Sequence, residues 1–368
     1  MKKTIKVYLQ YPWIFPDSPY YKYLISSPSK GIEYQNISKQ KGVSTNKKFI
    51  EIMRWSKVYF KKIVNSFFPS FPNSHSSPKG NYDLIHCAHC LSRNKDKPWV
   101  ADIEFPGQLW LSGGIAKNKK RVRKLLFSNN CKKLIFWTKK MQEDFLREFS
   151  DLRGKCVVIY PSIPRQKIKK KNSGVNLIYT GRYFYGKGGL HALEVMDRLT
   201  KKYRNVSGVI VSSVPGHIRK KYSENKKIQI YDLMPQKKLF EIFSKSHIFI
   251  YPGYSDSFGF AIPEAMSFGV IPISADISNR NELIREGKTG FLIPISADHG
   301  KLIKLGETLE GPAKKIVSDF ERKVEILIKD KKLRDKMSGE CIREIEVGKF
   351  SLKKNNKKIK EIYRGALK

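Results

Sequence analysis

The chain has 368 residues, with 72 Lys and Arg against 33 Asp and Glu, a formal net charge of +39. Hydrophobic residues make up 40% and aromatics 12%, enough to bury one or two cores, which excludes a disordered or fibrous chain. No run reaches the ~18 apolar residues that a spanning helix needs, and the apolar stretch after Met1-Lys2-Lys3 is broken by Lys6, Gln10 and Pro12, unlike a signal peptide.

Such a charge suits nucleic acid, an anionic membrane or a phosphorylated substrate. Residues 1–165 hold 31 basic and 11 acidic residues (+20), and residues 166–368 hold 41 and 22 (+19). An even spread argues against a dedicated nucleic-acid arm, and a lysine-rich background composition competes with any partner. The five cysteines form no disulfide-like framework, which fits a reducing compartment. His86-Cys87-Ala88-His89-Cys90 has zinc-ligand types. A second close pair is missing, so the segment reads as structural or as part of a substrate pocket, and no metal is expected.

Lys6–Leu9 reads as the first strand, and Pro12, Pro16 and Pro19 then predict a loop carrying Asp17, Ser18, Tyr20 and Tyr21. Residues 46–68 read as a helix with Phe49, Met53, Phe60, Ile63, Val64 and Phe67 on one face among interspersed lysines. That face suits either a protein core or an anionic membrane surface. Strands follow at Leu84-Ile85, Trp99–Ile103, Leu134–Trp137 and Val157–Tyr160, with a helix opening at Thr138. The basic cluster at 117–124 is a solvated helix face or a phosphate or membrane contact.

Pro161–Lys171 reads as a linker, after which strands and helices alternate again from Val175 to Ile293, and residues 313–368 are helical and very basic. The expected fold class is α/β, two Rossmann-like doubly wound domains facing across a cleft. The expected division is one domain over 1–164, a second over 165–345 and a C-terminal helix, 346–368, packing back on the first. Ligands in such sheets sit at the carboxyl ends of strands.

Two stretches carry the chemistry. In Tyr179–Gly189 a strand ends in a Gly-rich loop holding Gly181, Arg182 and Lys187, then a helix begins. Two cations beside a helix N-terminus suit a diphosphate. In Tyr254–Gly269, Asp256 and Glu264 flank Ser257, Phe258, Gly259 and Phe260. Glu264 lies in an apolar helical stretch, where a carboxylate needs a partner such as a sugar hydroxyl or a buried cation.

Gly-Arg, four residues, Lys-Gly, then about seventy residues later Asp-Ser-Phe-Gly-Phe with Glu-Ala-Met eight steps on, resembles the donor site of family-4 glycosyltransferases, which have the GT-B fold. The resemblance covers roughly 175–295, including Asn281–Ile284 and Gly287–Leu292. It implies a nucleotide-sugar donor, UDP- or GDP-linked, with no metal cofactor. Arg182 and Lys187 would bind its diphosphate, Glu264 its ribose, and Asp256 the transferred sugar. Amides near Phe258, Gly259 and Phe260 would complete the cradle, with the base near Leu233 and Met234. It also implies retention of configuration, and the chain has no Asp-x-Asp metal motif. Asp256 stands where the family has Glu. A Pro-rich segment replaces the N-terminal Gly-Gly loop, and Glu104 stands where many members place a His. Asp17, Ser18, His86, His89 and Glu104 are therefore the acceptor-side candidates, with Glu104 positioned to orient or deprotonate a hydroxyl.

These readings point to a cytoplasmic enzyme, peripheral on the inner membrane face, using a lipid-linked, glycan or polysaccharide acceptor. A sugar-nucleotide epimerase, a phosphorylase, a non-catalytic relative and a basic nucleic-acid-binding protein are the competing readings.

Overall fold

The computed structural model describes residues 4–11, 19–37, 52–170 apart from 53, 54, 57, 58, 61, 62 and 65, then 174–254, 256–295 and 314–368. The chain forms two compact units, Met1–Ser162 with Lys349–Lys368, and Ile163–Gly348.

The first unit is built on a six-stranded parallel sheet. Its strands are β1 (Ile5–Gln10), β2 (Ile32–Gln35), β3 (Leu84–Ala88), β4 (Trp99–Ile103), β5 (Cys131–Phe136) and β6 (Cys156–Val158), in the order β2-β1-β3-β4-β5-β6. β3 and β4 are buried along their whole length, as strands covered on both faces must be. The helix Lys139–Glu148 starts where Thr138 accepts a hydrogen bond from the Met141 amide at 3.2 Å, and it buries Met141, Phe145 and Leu146.

Two local expectations change. Pro19 opens the helix Pro19–Ser26 rather than prolonging a loop. Proline is tolerated at the first helical position, where no N–H is needed. Tyr20 and Tyr21 are consequently core residues. Asp17 and Ser18 lie outside the described residues, as do Phe49 and Met53 of the 46–68 helix. Its described residues between 52 and 67 are helical, but only Val64 is buried.

A buried polar chain ties the C-terminal helix Leu352–Ala366 into this unit. Tyr34 and Tyr363 hydroxyls lie 3.2 Å apart, Tyr363 Oη lies 2.6 Å from His86 Nδ1, and His86 Nε2 lies 2.7 Å from Asp102 Oδ2. Tyr21 donates to the same carboxylate oxygen at 2.8 Å. Burial pushes the Tyr21 and Tyr363 phenols well above their usual range, so both remain O–H donors.

The second unit repeats the architecture with β7 (Val175–Gly181), β8 (Val206–Ser212), β9 (Ile228–Tyr231), β10 (Ile248–Tyr251), β11 (Ile271–Asp276) and β12 (Phe291–Pro294), in the order β9-β8-β7-β10-β11-β12. Every pairing is parallel. The chain runs outward from β7 through β8 to β9, then returns to β10 beside β7 and runs the other way. The helices Lys314–Lys329 and Lys331–Glu346 close the unit. The first buries Ile316, Val317, Phe320, Val324 and Leu327.

Residues 163–170 of the stretch expected to be a linker belong to this second unit and are packed down on it. The Gln166 amide donates to Ser267 O at 3.2 Å, and that of Lys169 to Ser244 O at 2.8 Å. Lys170 Nζ donates to Gly269 O at 2.6 Å and Ser338 Oγ at 3.3 Å. Backbone and side-chain donors, invisible to a composition argument, hold it there.

Burial lowers the Lys170 ammonium from its usual 10.5 to about 8. Between those values the unfolded chain carries a proton that the folded chain has released, so this group adds stability as pH rises from 8 to 10.5. Urea unfolding of wild type and Lys170→Met across that window is expected to show wild type gaining on the variant. Parallel pH profiles would contradict it.

Candidate functional site

The reversal of direction between β7 and β10 leaves a gap above the carboxyl ends of two adjacent strands, the position where open α/β sheets bind ligands. The loop after β7 brings Arg182, half-buried, and Lys187 to this edge. The loop after β10 brings Asp256.

The two loops are fastened together. The Gly253 amide donates to Lys187 O at 3.1 Å, and the Lys187 ammonium forms an ion pair with the Asp256 carboxylate. Gly188 has φ +77°, and a Cβ there would lie 2.4 Å from Pro252 Cβ. Gly188 therefore serves the contact between loops directly.

Asp256 has two further partners. The Tyr251 hydroxyl donates to it, and Arg280 Nη2 lies 3.4 Å away. Burial, and after it the Asp256 charge, pushes the Tyr251 phenol far above its usual range, so it stays a donor.

Arg280, from the short helix Arg280–Leu283, is fully buried. Its Nη1 donates to Phe258 O at 2.9 Å and its Nη2 to Gly253 O at 3.1 Å. One planar fork thus fixes both ends of the loop that carries Asp256. Gly259, at φ +87°, lies over this fork, where a Cβ would come within 2.7 Å of Nη1. Sequence reasoning missed Arg280 because its main partners are backbone carbonyls.

Phe258 and Gly259 are buried, while Ser257 is exposed and Phe260 intermediate. Glu264, in the helix Ala261–Ser267, is buried and accepts from Gln236 Nε2 at 2.9 Å. Leu233 and Met234 follow β9 at the same sheet edge and are half-buried. They stand two strands from β7, roughly 10 Å across.

In the first unit the acceptor-side candidates separate. His86 is fully buried with both ring nitrogens engaged, so it belongs to the framework and offers nothing to a ligand. His89 and Glu104 follow β3 and β4, neighbours in register Ala88↔Asp102, and come together with Nδ1 3.7 Å from Oε2. His89 has φ +58°, which a residue with a side chain adopts only when its surroundings impose it. Asn73 Nδ2 donates to its carbonyl at 2.9 Å, and its ring packs edge-on between Tyr21 and Trp137. Gln108 clamps the following turn. It accepts from the Glu104 amide at 2.8 Å and donates to Asp102 O at 2.7 Å. Cys87 and Cys90 are buried beside Gln10 Nε2, at 3.5 and 3.6 Å, and burial raises the Cys87 thiol.

The Arg280 fork makes a specific prediction. Arg280→Lys keeps a cation but not the planar geometry, leaving a buried carbonyl unpaired at a cost of about 1–3 kcal/mol. Urea unfolding is expected to show that loss, and an unchanged midpoint would contradict the clamp.

The gpi3 component of the phosphatidylinositol N-acetylglucosaminyltransferase of Schizosaccharomyces pombe is 23% identical over 135 residues, 35% of this chain and 30% of that protein. The chain spans less than half the length of the curated relatives it matches, 26% to 45%. Among solved structures, a glycosyltransferase from Rickettsia africae ESF-5 superposes with a TM-score of 0.61 over 100% of both chains at 14% identity. The pneumococcal O-GlcNAc transferase GtfA, solved with UDP and GlcNAc, gives 0.56 at 17% identity over 84% of this chain and 59% of its own. Both units are thus Rossmann-like folds of the kind that GT-B glycosyltransferases combine. Residues 162–315, which carry both loops and Arg280, match the family described as glycosyl transferases group 1.

Proposed function

We propose that the chain transfers a sugar from a nucleotide-sugar donor to a lipid-linked, glycan or polysaccharide acceptor, with retention of configuration and without a divalent metal. The observation that carries this reading is the Lys187–Asp256 pair above the ends of β7 and β10. The curated relative named for transfer to phosphatidylinositol and the neighbour solved with UDP support the acceptor and donor classes.

Breaking the sugar–phosphate bond places charge on the leaving diphosphate. Lys187 and Arg182 supply fixed positive charge where it develops, the role a metal ion plays elsewhere. The diphosphate competes with Asp256 for Lys187. Asp256, still held by Tyr251 and Arg280, then turns its remaining lone pairs to the sugar hydroxyls. Glu264 accepts from the ribose, the amides around Phe258–Phe260 complete the cradle, and Leu233 and Met234 flank the base. On the acceptor side, Glu104 paired with His89 orients and deprotonates the attacking hydroxyl. The enzyme works at the cytoplasmic face of the membrane. No described helix is long and apolar enough to cross one.

A thermal-shift screen against UDP- and GDP-sugars tests the donor site. A donor at one hundred times its Kd adds about 2.7 kcal/mol of stability, a rise of a few degrees. In Lys187→Ala that rise is expected to vanish and transfer to fall by about 10²–10³-fold, the scale for losing one charge-stabilising group. An undiminished shift and rate in the variant would sink the assignment.

A further inference from the structure

The described residues of 52–67 present an apolar stripe to solvent. Ile52, Trp55, Tyr59, Ile63 and Phe67 recur every three or four residues, so they share one helix face. Their exposures are 66%, 72%, 69%, 43% and 73%. A helix that only packs on a core buries such a stripe, yet among the described residues here the buried side chain is Val64.

The stripe continues beyond the helix. The Phe67 and Phe68 rings lie 6.5 Å apart, those of Phe68 and Phe71 5.3 Å apart, and both Phe68 and Phe71 are exposed. The Arg121 guanidinium sits 4.6 Å from the Phe71 ring centroid. Arg121 lies on the basic helix Lys120–Leu126, where Lys120, Arg121 and Lys124 line the surface with it. Aromatic stripe and basic helix are therefore one continuous surface.

We infer that this face docks on an anionic lipid bilayer, with the aromatic and aliphatic side chains at the headgroup boundary and the basic residues over the anionic headgroups. Trp, Tyr and Phe beside Lys and Arg form the composition that such interfaces select. A second copy is a poor occupant, since each brings +20 within residues 1–165. The inference does not rest on the transfer reaction and is tested without it.

Cosedimentation of the full chain with vesicles of phosphatidylglycerol or phosphatidylcholine decides it. Binding to phosphatidylglycerol is expected to be at least tenfold tighter and to weaken as salt rises. The double variant Trp55→Ser/Phe67→Ser, which alters only exposed side chains, is expected to keep the wild-type melting temperature and lose tenfold or more in binding. The charge variant Arg121→Glu is expected to weaken phosphatidylglycerol binding alone. Equal binding to both lipids, binding to neither, or an unaffected double variant would overturn the inference. So would a wild-type dimer in light scattering that the double variant dissociates.

Discussion

A parallel sheet whose chain turns back on itself must leave an opening where the two outgoing directions part. In the second unit that opening lies above β7 and β10, and everything placed there depends on holding two loops in fixed relation. The Lys187–Asp256 ion pair, the hydrogen bond from the Gly253 amide to Lys187 O and the Arg280 fork do this together. These contacts close the arrangement on itself. The ligand that best opens it carries a stronger negative charge than a carboxylate. A diphosphate meets that requirement, and it is the donor group we propose for this site.

Much of this was legible in the amino-acid pattern. Strand and helix alternation is visible because buried parallel strands are runs such as Ile248–Tyr251, and helix starts carry caps such as Thr138. The loops holding Arg182, Lys187 and Asp256 stand out because glycine and charge cluster where strands end. Arg280 was not legible. In a chain with 72 basic residues one more arginine attracts no notice, and the carbonyls it clamps are main-chain groups more than twenty residues away. The helix Pro19–Ser26 was hidden because proline both breaks helices and begins them. His86 looked available by residue type, and only the fold reveals it locked between Tyr363 and Asp102.

The two units use the same sheet differently. In the second, charged groups at the strand ends hold loops in place while remaining within reach of solvent, with Lys187 and Asp256 13% and 16% exposed. In the first, a polar chain of tyrosines, His86 and Asp102 is sunk into the core and ties in the C-terminal helix. Among its acceptor-side candidates that lie within the described residues, the His89–Glu104 pair is the one at the strand ends. The two proposals give the net charge of +39 a local meaning in two places, at the Arg182 and Lys187 loop and around the aromatic stripe. Elsewhere it is spread evenly enough to be composition alone.

The central claim is that a diphosphate seats above β7 and β10 by taking Lys187 from Asp256. A crystal structure of the complex with UDP measures this most directly. The account predicts a phosphate oxygen within hydrogen-bonding distance of Lys187 Nζ, about 2.7–3.2 Å, with Asp256 turned to Tyr251 and Arg280. A diphosphate bound elsewhere, with the Lys187–Asp256 pair intact, would contradict it.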